Sequence, residues 1–230
     1  MKLIGLIGGM SWRSTIEYYR ILNETASQLL GSEHSAKILL YNVDFAEITD
    51  MQKRGAWEEA GQALASAARS LEAAGAELVL IGAVTMHKVA STVQEAVSIP
   101  LMHIVDVTAE AIIASGISKV GLLGTRYTME DDFVIDRLHK LGIDPIVPQP
   151  SDRELLHLVI FEELAKGVIS QSSKEQFITI IDQLSARGAE GIILGCTEIS
   201  LLIHPDDSRL PLFDTTLLHA VSAINAALAK

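Results

Sequence analysis

Gly188-Ala189-Glu190-Gly191-Ile192-Ile193-Leu194-Gly195-Cys196 repeats an earlier stretch, Gly75-Ala76-Glu77-Leu78-Val79-Leu80-Ile81-Gly82-Ala83, at an offset of 113 residues (Ala83 to Cys196) and without a gap. Each copy is a short apolar run between glycines, which reads as a buried strand. Two further landmarks recur in the same order. Gly5-Leu6-Ile7-Gly8 returns as Gly121-Leu122-Leu123-Gly124, and Pro100-Leu101-Met102 returns as Pro211-Leu212-Phe213. Three segments repeating in constant order indicate a duplicated chain. The expected fold is α/β: two similar lobes, residues 1–115 and 116–230, each a parallel sheet flanked by helices. The lobes are expected to be pseudo-twofold related with the active site between them, the C-terminal helix being free to cross onto the first lobe. In this alignment the twin of Cys196 is Ala83.

Outward from the repeat, strands alternate with helical segments, the pattern of layered α/β proteins. In the first half Leu3–Ile7, Ile38–Tyr41, Leu78–Ile81 and Leu101–Ile104 read as strands. Asp44–Thr49 reads as a loop, Trp57–Ala74 as a long helix stopped by Gly75, and Met86 onward as a helix to about Val97. A further helix is expected over Thr108–Ala114. In the second half Val120–Leu123, Asp144–Pro148, Gly191–Leu194 and Pro211–Asp214 read as strands. Helices are expected over Glu130–Leu141, Glu154–Lys166, Ser173–Arg187 and Thr215–Leu228.

Composition narrows the function. Of 230 residues 49% are hydrophobic and 20% charged, as in a globular protein with a sizeable core. A net charge of −11 with no basic cluster argues against nucleic acid as partner, because that affinity rests on Lys and Arg neutralising phosphates. One cysteine makes no internal disulfide. Met1-Lys2 runs straight into an apolar strand and the longest apolar run falls far short of a bilayer span, so no signal peptide, no membrane and a cytoplasmic location are expected.

The chemistry centres on the loops that follow strands: Gly8-Gly9-Met10-Ser11, Ala83-Val84-Thr85, Gly124-Thr125 and Cys196-Thr197-Glu198. Backbone amides backed by helix N-termini seat a carboxylate. The glycines lack the third member and the acidic partner of a dinucleotide fingerprint, which excludes a Rossmann cofactor site. The seven histidines are scattered, without metal-ligand spacing. Cys196 is either a small core hydrophobe or a thiol whose ionisation a helix N-terminus favours. Two proton-transfer groups on opposite faces of a bound carbon would racemise it without a cofactor.

Several motifs together carry a resemblance. Gly8-Gly9-Met10-Ser11-Trp12, Tyr18-Tyr19, Thr85-Met86-His87-Lys88, Gly124-Thr125-Arg126-Tyr127-Thr128-Met129, Phe161-Glu162-Glu163-Leu164, Gly195-Cys196-Thr197-Glu198 and Phe213-Asp214-Thr215 resemble the aspartate/glutamate racemase family, the bacterial amino-acid racemases that need no pyridoxal phosphate. The resemblance implies a cofactor-free isomerase acting on a small amino acid or dicarboxylate, aspartate or glutamate foremost, and a homodimer. It makes Cys196 the second-half acid/base. Ala83 stands where the family carries Cys or Thr, and Val84 where it carries Asn, a contact to the substrate carboxylate. Met10, Gln52, Thr85, Thr125, Thr128, Lys166 and Thr197 fall on substrate-lining positions. Glu198 joins them, and the residues leave open whether it caps a helix or tunes Cys196. A methyl at 83 gives two other readings: a one-base decarboxylase of the arylmalonate decarboxylase type, and a catalytically dead carboxylate binder. Taken alone, Gln52 reads as surface, Lys166 as a helix C-terminal cation, His87 as structural, and Trp12, Tyr18 and Tyr19 as packing.

Overall fold

The computed structural model describes residues 1–229; Lys230, the last residue of the expected second lobe, lies outside the described residues. In chain order the elements are β1 (Ile4–Gly8), α1 (Trp12–Leu30), β2 (Ile38–Asn42), α2 (Phe45–Arg54), α3 (Trp57–Ala73), β3 (Leu78–Ile81), α4 (Ala90–Glu95), α5 (Ile104–Ala114), β4 (Lys119–Gly124), α6 (Arg126–Glu130) and α7 (Asp132–Lys140). They continue with β5 (Asp144–Ile146), α8 (Pro150–Glu162), α9 (Gln171–Ala186), β6 (Gly191–Gly195), β7 (Leu212–Asp214) and α10 (Thr215–Leu228). The chain divides into two compact units. The first comprises Met1–Ile104 with the segment from His219 onward, and the second is Val105–Leu218.

The first unit holds a parallel sheet of order β2-β1-β3. Its strands alternate their apolar side chains between two faces, as the pleat requires. Ile4, Leu6, Leu78 and Leu80 pack with Tyr18, Ile21 and Leu22 of α1 and with Ala220, Ala223, Ile224 and Ala227 of α10. Ile7, Val79 and Ile81 pack on the other side with Leu64, Ala68 and Leu71 of α3 and Val93 of α4. Apolar cover on both faces is why β1 and β3 read as continuous hydrophobic runs. The second unit holds a parallel sheet of order β5-β4-β6-β7, with α6, α8 and α9 packed on β4. Among the described residues no helix is long and apolar enough to cross a membrane.

Several expectations need correction. The boundary between units falls at Ile104/Val105 rather than after residue 115. Helix α5 goes with the second unit, where Asp106 receives both Nε and Nη2 of Arg137 on α7. The fourth strand of the first half is reduced to one bridge, Leu101 against Val79, because α5 begins at Ile104. Asp44 opens a helix instead of a loop, its carboxylate accepting the Ala46 amide at 2.9 Å as an N-cap. The helix expected from Met86 is a 3-10 turn, Thr85–Val89, followed by the short α4. The helix expected over Glu130–Leu141 breaks at Asp131, whose ψ of 149° is extended. The helix expected to reach Lys166 ends at Glu162 and continues as a 3-10 turn, Leu164–Lys166.

A buried polar chain ties α10 to the first sheet. Nε2 of His219 donates to the Met102 carbonyl at 3.0 Å, so Nδ1 is the acceptor for the Tyr18 hydroxyl at 2.8 Å. Burial first, and then the neighbouring His87, push the His219 pKa down to about 3. The unfolded imidazole titrates near 6.5. Between those values the unfolded chain binds a proton that the folded one refuses, so this contribution to stability is complete above about pH 6.5 and is lost on acidification. The urea midpoint is therefore expected to fall between about pH 7 and pH 5, by at most about 1.4 kcal/mol of stability per pH unit, and His219→Gln to flatten that slope.

Candidate active site

In both units the first and third strands lie side by side and the second lies outside the first. The connections leave that central pair in opposite directions, and in open α/β sheets ligands bind at such a switch point, beyond the carboxyl ends of the strands. In the first unit Ile7 is opposite Ile81, so Gly8-Gly9 and Gly82-Ala83 leave the sheet as neighbours. In the second Gly124 is opposite Gly195, so Thr125 and Cys196 do the same. The third–fourth strand register also agrees, Val79 with Leu101 and Ile192 with Leu212. Register by register, Ala83 occupies in one unit the position that Cys196 occupies in the other.

Close backbone approach shapes both strand ends. A Cβ on Gly195 would stand 2.6 Å from the Leu123 carbonyl, and one on Gly124 would stand 2.9 Å from Thr128 Cβ. Only glycine lets β4 and β6 end so close together with Thr128 beneath them. Gly9 has φ of +92°, and a Cβ there would meet the Val43 carbonyl at 2.2 Å. Its amide donates to Thr15 Oγ1 at 2.8 Å, which holds the loop on α1.

Cys196 follows the last residue of β6 and is 9% exposed. Its thiol donates to Oε2 of Glu198 at 3.0 Å, and the Thr197 hydroxyl donates to the same oxygen at 2.8 Å. Glu198 itself is only 4% exposed. Burial, then the Glu198 charge and its hydrogen bond, push the thiol well above its ordinary pKa, while the backbone groups of Glu198 and Thr197 pull the other way. The helix-terminus stabilisation of the thiolate expected from sequence is thus overridden: the resting group is a protonated thiol on a carboxylate. The choice left open for Glu198 is decided as well, since its side chain holds the thiol and makes no cap.

The other sequence-designated residues fall into separate groups. Thr125 caps α6, its Oγ1 accepting the Thr128 amide at 3.3 Å and lying 3.2 Å from Thr128 Oγ1. In the first unit Met10 and Ala83 belong to one apolar cluster with Ile48 and Met86. Gln52, which the family resemblance alone marks as substrate-lining, is buried on α2 with Nε2 3.2 Å from Met86 Sδ. Val84 and Thr85 are buried at the start of the 3-10 turn. Lys166 sits on its 3-10 turn with a side chain 60% exposed and its ammonium on Glu162.

His87 reads from sequence as structural, while Asp214 and Thr215 enter that reading only as part of a family motif. His87 Nε2 accepts the Ile104 amide at 3.2 Å, which leaves Nδ1 to donate to the Ala83 carbonyl at 2.9 Å. This imidazole fixes the backbone at position 83. Thr215 Oγ1 donates to the Leu194 carbonyl at 2.8 Å, and Asp214 Oδ1 accepts the Thr216 amide at 2.9 Å. An aspartate directly before a helical run was the available signal for that cap.

Comparison with known proteins agrees with this architecture. A candidate Asp/Glu racemase from Yersinia pestis is similar over 100% of both chains, with 51% identity and a TM-score of 0.93. An aspartate racemase homologue from Pyrococcus horikoshii OT3 covers the same share, with 37% identity and a TM-score of 0.87. The broad specificity amino-acid racemase RacX of Bacillus subtilis (strain 168) is 22% identical over 99% of this chain and 99% of its own. The family model for Asp/Glu/hydantoin racemases matches residues 7–223. The chain belongs to the Asp/Glu/hydantoin racemase family.

Proposed function

We propose that this protein is a cofactor-independent amino-acid racemase of narrowed capability, which moves the α-proton of a small amino acid, aspartate or glutamate foremost, through Cys196. The observation that carries this reading is the Cys196 thiol at the carboxyl end of β6, in hydrogen-bond contact with a buried carboxylate. Family membership supports the reaction class, and the paired strand ends support the place. Incubating the protein in D2O with a panel of amino acids tests it. Deuterium at Cα of one or two acidic amino acids is the expected result, and none across the panel would defeat the reading.

A second reading has its own support. Cys196 is held protonated and Ala83 supplies no second acid or base. A single proton donor suits a lyase that releases CO2 from a malonate-type acid and protonates the carbanion from one face. CO2 release with one product enantiomer would favour it.

A further inference from the structure

We propose that His157 is a positioning residue for the loop at the end of β4: its neutral imidazole holds the Arg126 amide, and through it Thr125 and Thr128, so that substrate affinity falls when the ring takes up a proton. The inference rests on the racemase reading, and on the substrate-lining positions that the family resemblance gives Thr125 and Thr128. It adds the group that keeps them in place.

Helix α6 is five residues long and begins one residue after β4, so its first amides need partners from outside it. Thr125 Oγ1 accepts the amide of Thr128, the third position of the helix, at 3.3 Å. The amide of Arg126, the first position, is met from α8 instead: His157 Nδ1 accepts it at 3.3 Å. A lone pair on Nδ1 requires the neutral ring, with its proton on Nε2. Two aromatic neighbours set the orientation of the half-buried ring. Tyr127 of α6 meets it edge-on, with centroids 5.9 Å apart and planes at 85°, and Phe161, one turn along α8, lies 4.8 Å away. Thr125 directly precedes Arg126. Any shift of this amide therefore carries with it the Thr125 hydroxyl, which stands 3.2 Å from that of Thr128.

Protonation opposes this hydrogen bond in two ways. Nδ1 then carries a hydrogen of its own towards the amide, and the imidazolium is a cation at the start of a helix, where the peptide dipoles repel it. Burial first, and the Arg126 charge next, hold the His157 pKa below its ordinary value, while Glu154 and Glu130 pull it up. Arg126 and Glu130 face the ring from α6 and Glu154 from its own helix. Arg126 lies 3.4 Å from Glu154, and Glu130 lies 3.2 Å from Arg153. From the 3-10 turn behind α8, Lys166 is engaged by Glu162. From α9, Ser173 donates to Glu163 at 2.6 Å. On β4, Lys119 is at the far end of the strand, beside Gly188. The ring is therefore neutral near pH 7 and charges only in acid, below its ordinary value of about 6.5.

The test compares His157→Asn with His157→Phe in the full-length protein. Asparagine places a carbonyl oxygen where Nδ1 stands and does not titrate; phenylalanine keeps a ring and removes the acceptor. Calorimetry follows binding of L-aspartate and L-glutamate, α-proton exchange in D2O gives KM and kcat, and 15N–1H spectra follow the Arg126 amide. In the wild type the Arg126 amide is expected to titrate together with the His157 ring. Substrate Kd and KM are expected to rise as pH falls through that shared midpoint, by up to about tenfold per pH unit. His157→Phe is expected to raise both about fivefold or more at every pH, the effect of one lost helix cap, with kcat little changed. His157→Asn is expected to keep wild-type affinity near pH 7 and to lose the rise in acid. An Arg126 amide that ignores the ring, an asparagine variant as weak as the phenylalanine one, or a wild-type KM in His157→Phe would each overturn the proposal while leaving the racemase reading intact. An Arg126 amide that follows His157 in a protein exchanging no α-proton at any pH would keep the His157 contact and defeat the racemase reading instead.

Discussion

Cys196→Ser is expected to lower exchange of the substrate α-proton on the order of 10²–10⁴-fold, the usual contribution of one general acid–base group. A serine hydroxyl keeps the size and the hydrogen bond to Glu198, so the fold should survive. It is far weaker as an acid and base at carbon than sulfur. The site also explains why serine is a fair control: Thr197 already places a hydroxyl on the same carboxylate oxygen at 2.8 Å. Mass-spectrometric deuterium content of recovered amino acid gives the rate, and circular dichroism confirms the fold. Exchange that persists undiminished in the serine variant would remove Cys196 from the mechanism.

The second large effect concerns position 83. Ala83 carries the register of Cys196 in the first unit and has only a methyl to offer. On the racemase reading proposed above, Ala83→Thr is expected to raise inversion at Cα on the order of 10²-fold or more over the wild type, because its hydroxyl would serve as a second group able to pass a proton. Chiral chromatography of the product, set against deuterium uptake, separates inversion from exchange with retention. The substitution enlarges a side chain that is 8% exposed and clustered with Met10, Ile48 and Met86, so a stability loss of about 1–3 kcal/mol accompanies it. The His87 ring, which holds the Ala83 carbonyl at 2.9 Å, limits how far the backbone can move in response. Unchanged inversion alongside continuing exchange would favour one-sided chemistry, and with it the lyase reading.

Much of this was legible in the residues because the duplication fixes register as well as fold. The gap-free match of Gly75–Ala83 with Gly188–Cys196 aligns strand ends, and the two sheets pair Ile7 with Ile81 and Leu123 with Leu194 at equivalent places. Apolar runs that are covered on both faces carry an unmistakable pattern. What sequence could not supply is the balance of forces on a side chain. The Cys196 thiol lies where backbone amides favour the thiolate, yet burial and Glu198 outweigh them, and neither burial nor the turn that brings Oε2 to Sγ is encoded in periodicity. Helix α2 is hidden in sequence because Asp44 follows closely on a strand and reads as the start of a connection, although it is a serviceable N-cap. The crossover at Ile104 was placed late because α5 looks like the closing helix of the first repeat. Its ties to the second unit include Asp106 meeting Arg137 of α7, a pairing between side chains far apart in sequence.

The central claim is that a buried thiol on a carboxylate carries a proton to and from an amino acid's α-carbon. Following the α-proton signal of aspartate and of glutamate by NMR in D2O, with wild type and Cys196→Ser side by side, tests it most directly. The account predicts loss of that signal with the wild type for at least one of the two, and its persistence with the variant. An α-proton signal that stays intact with the wild type, or that fades equally with both proteins, would contradict it.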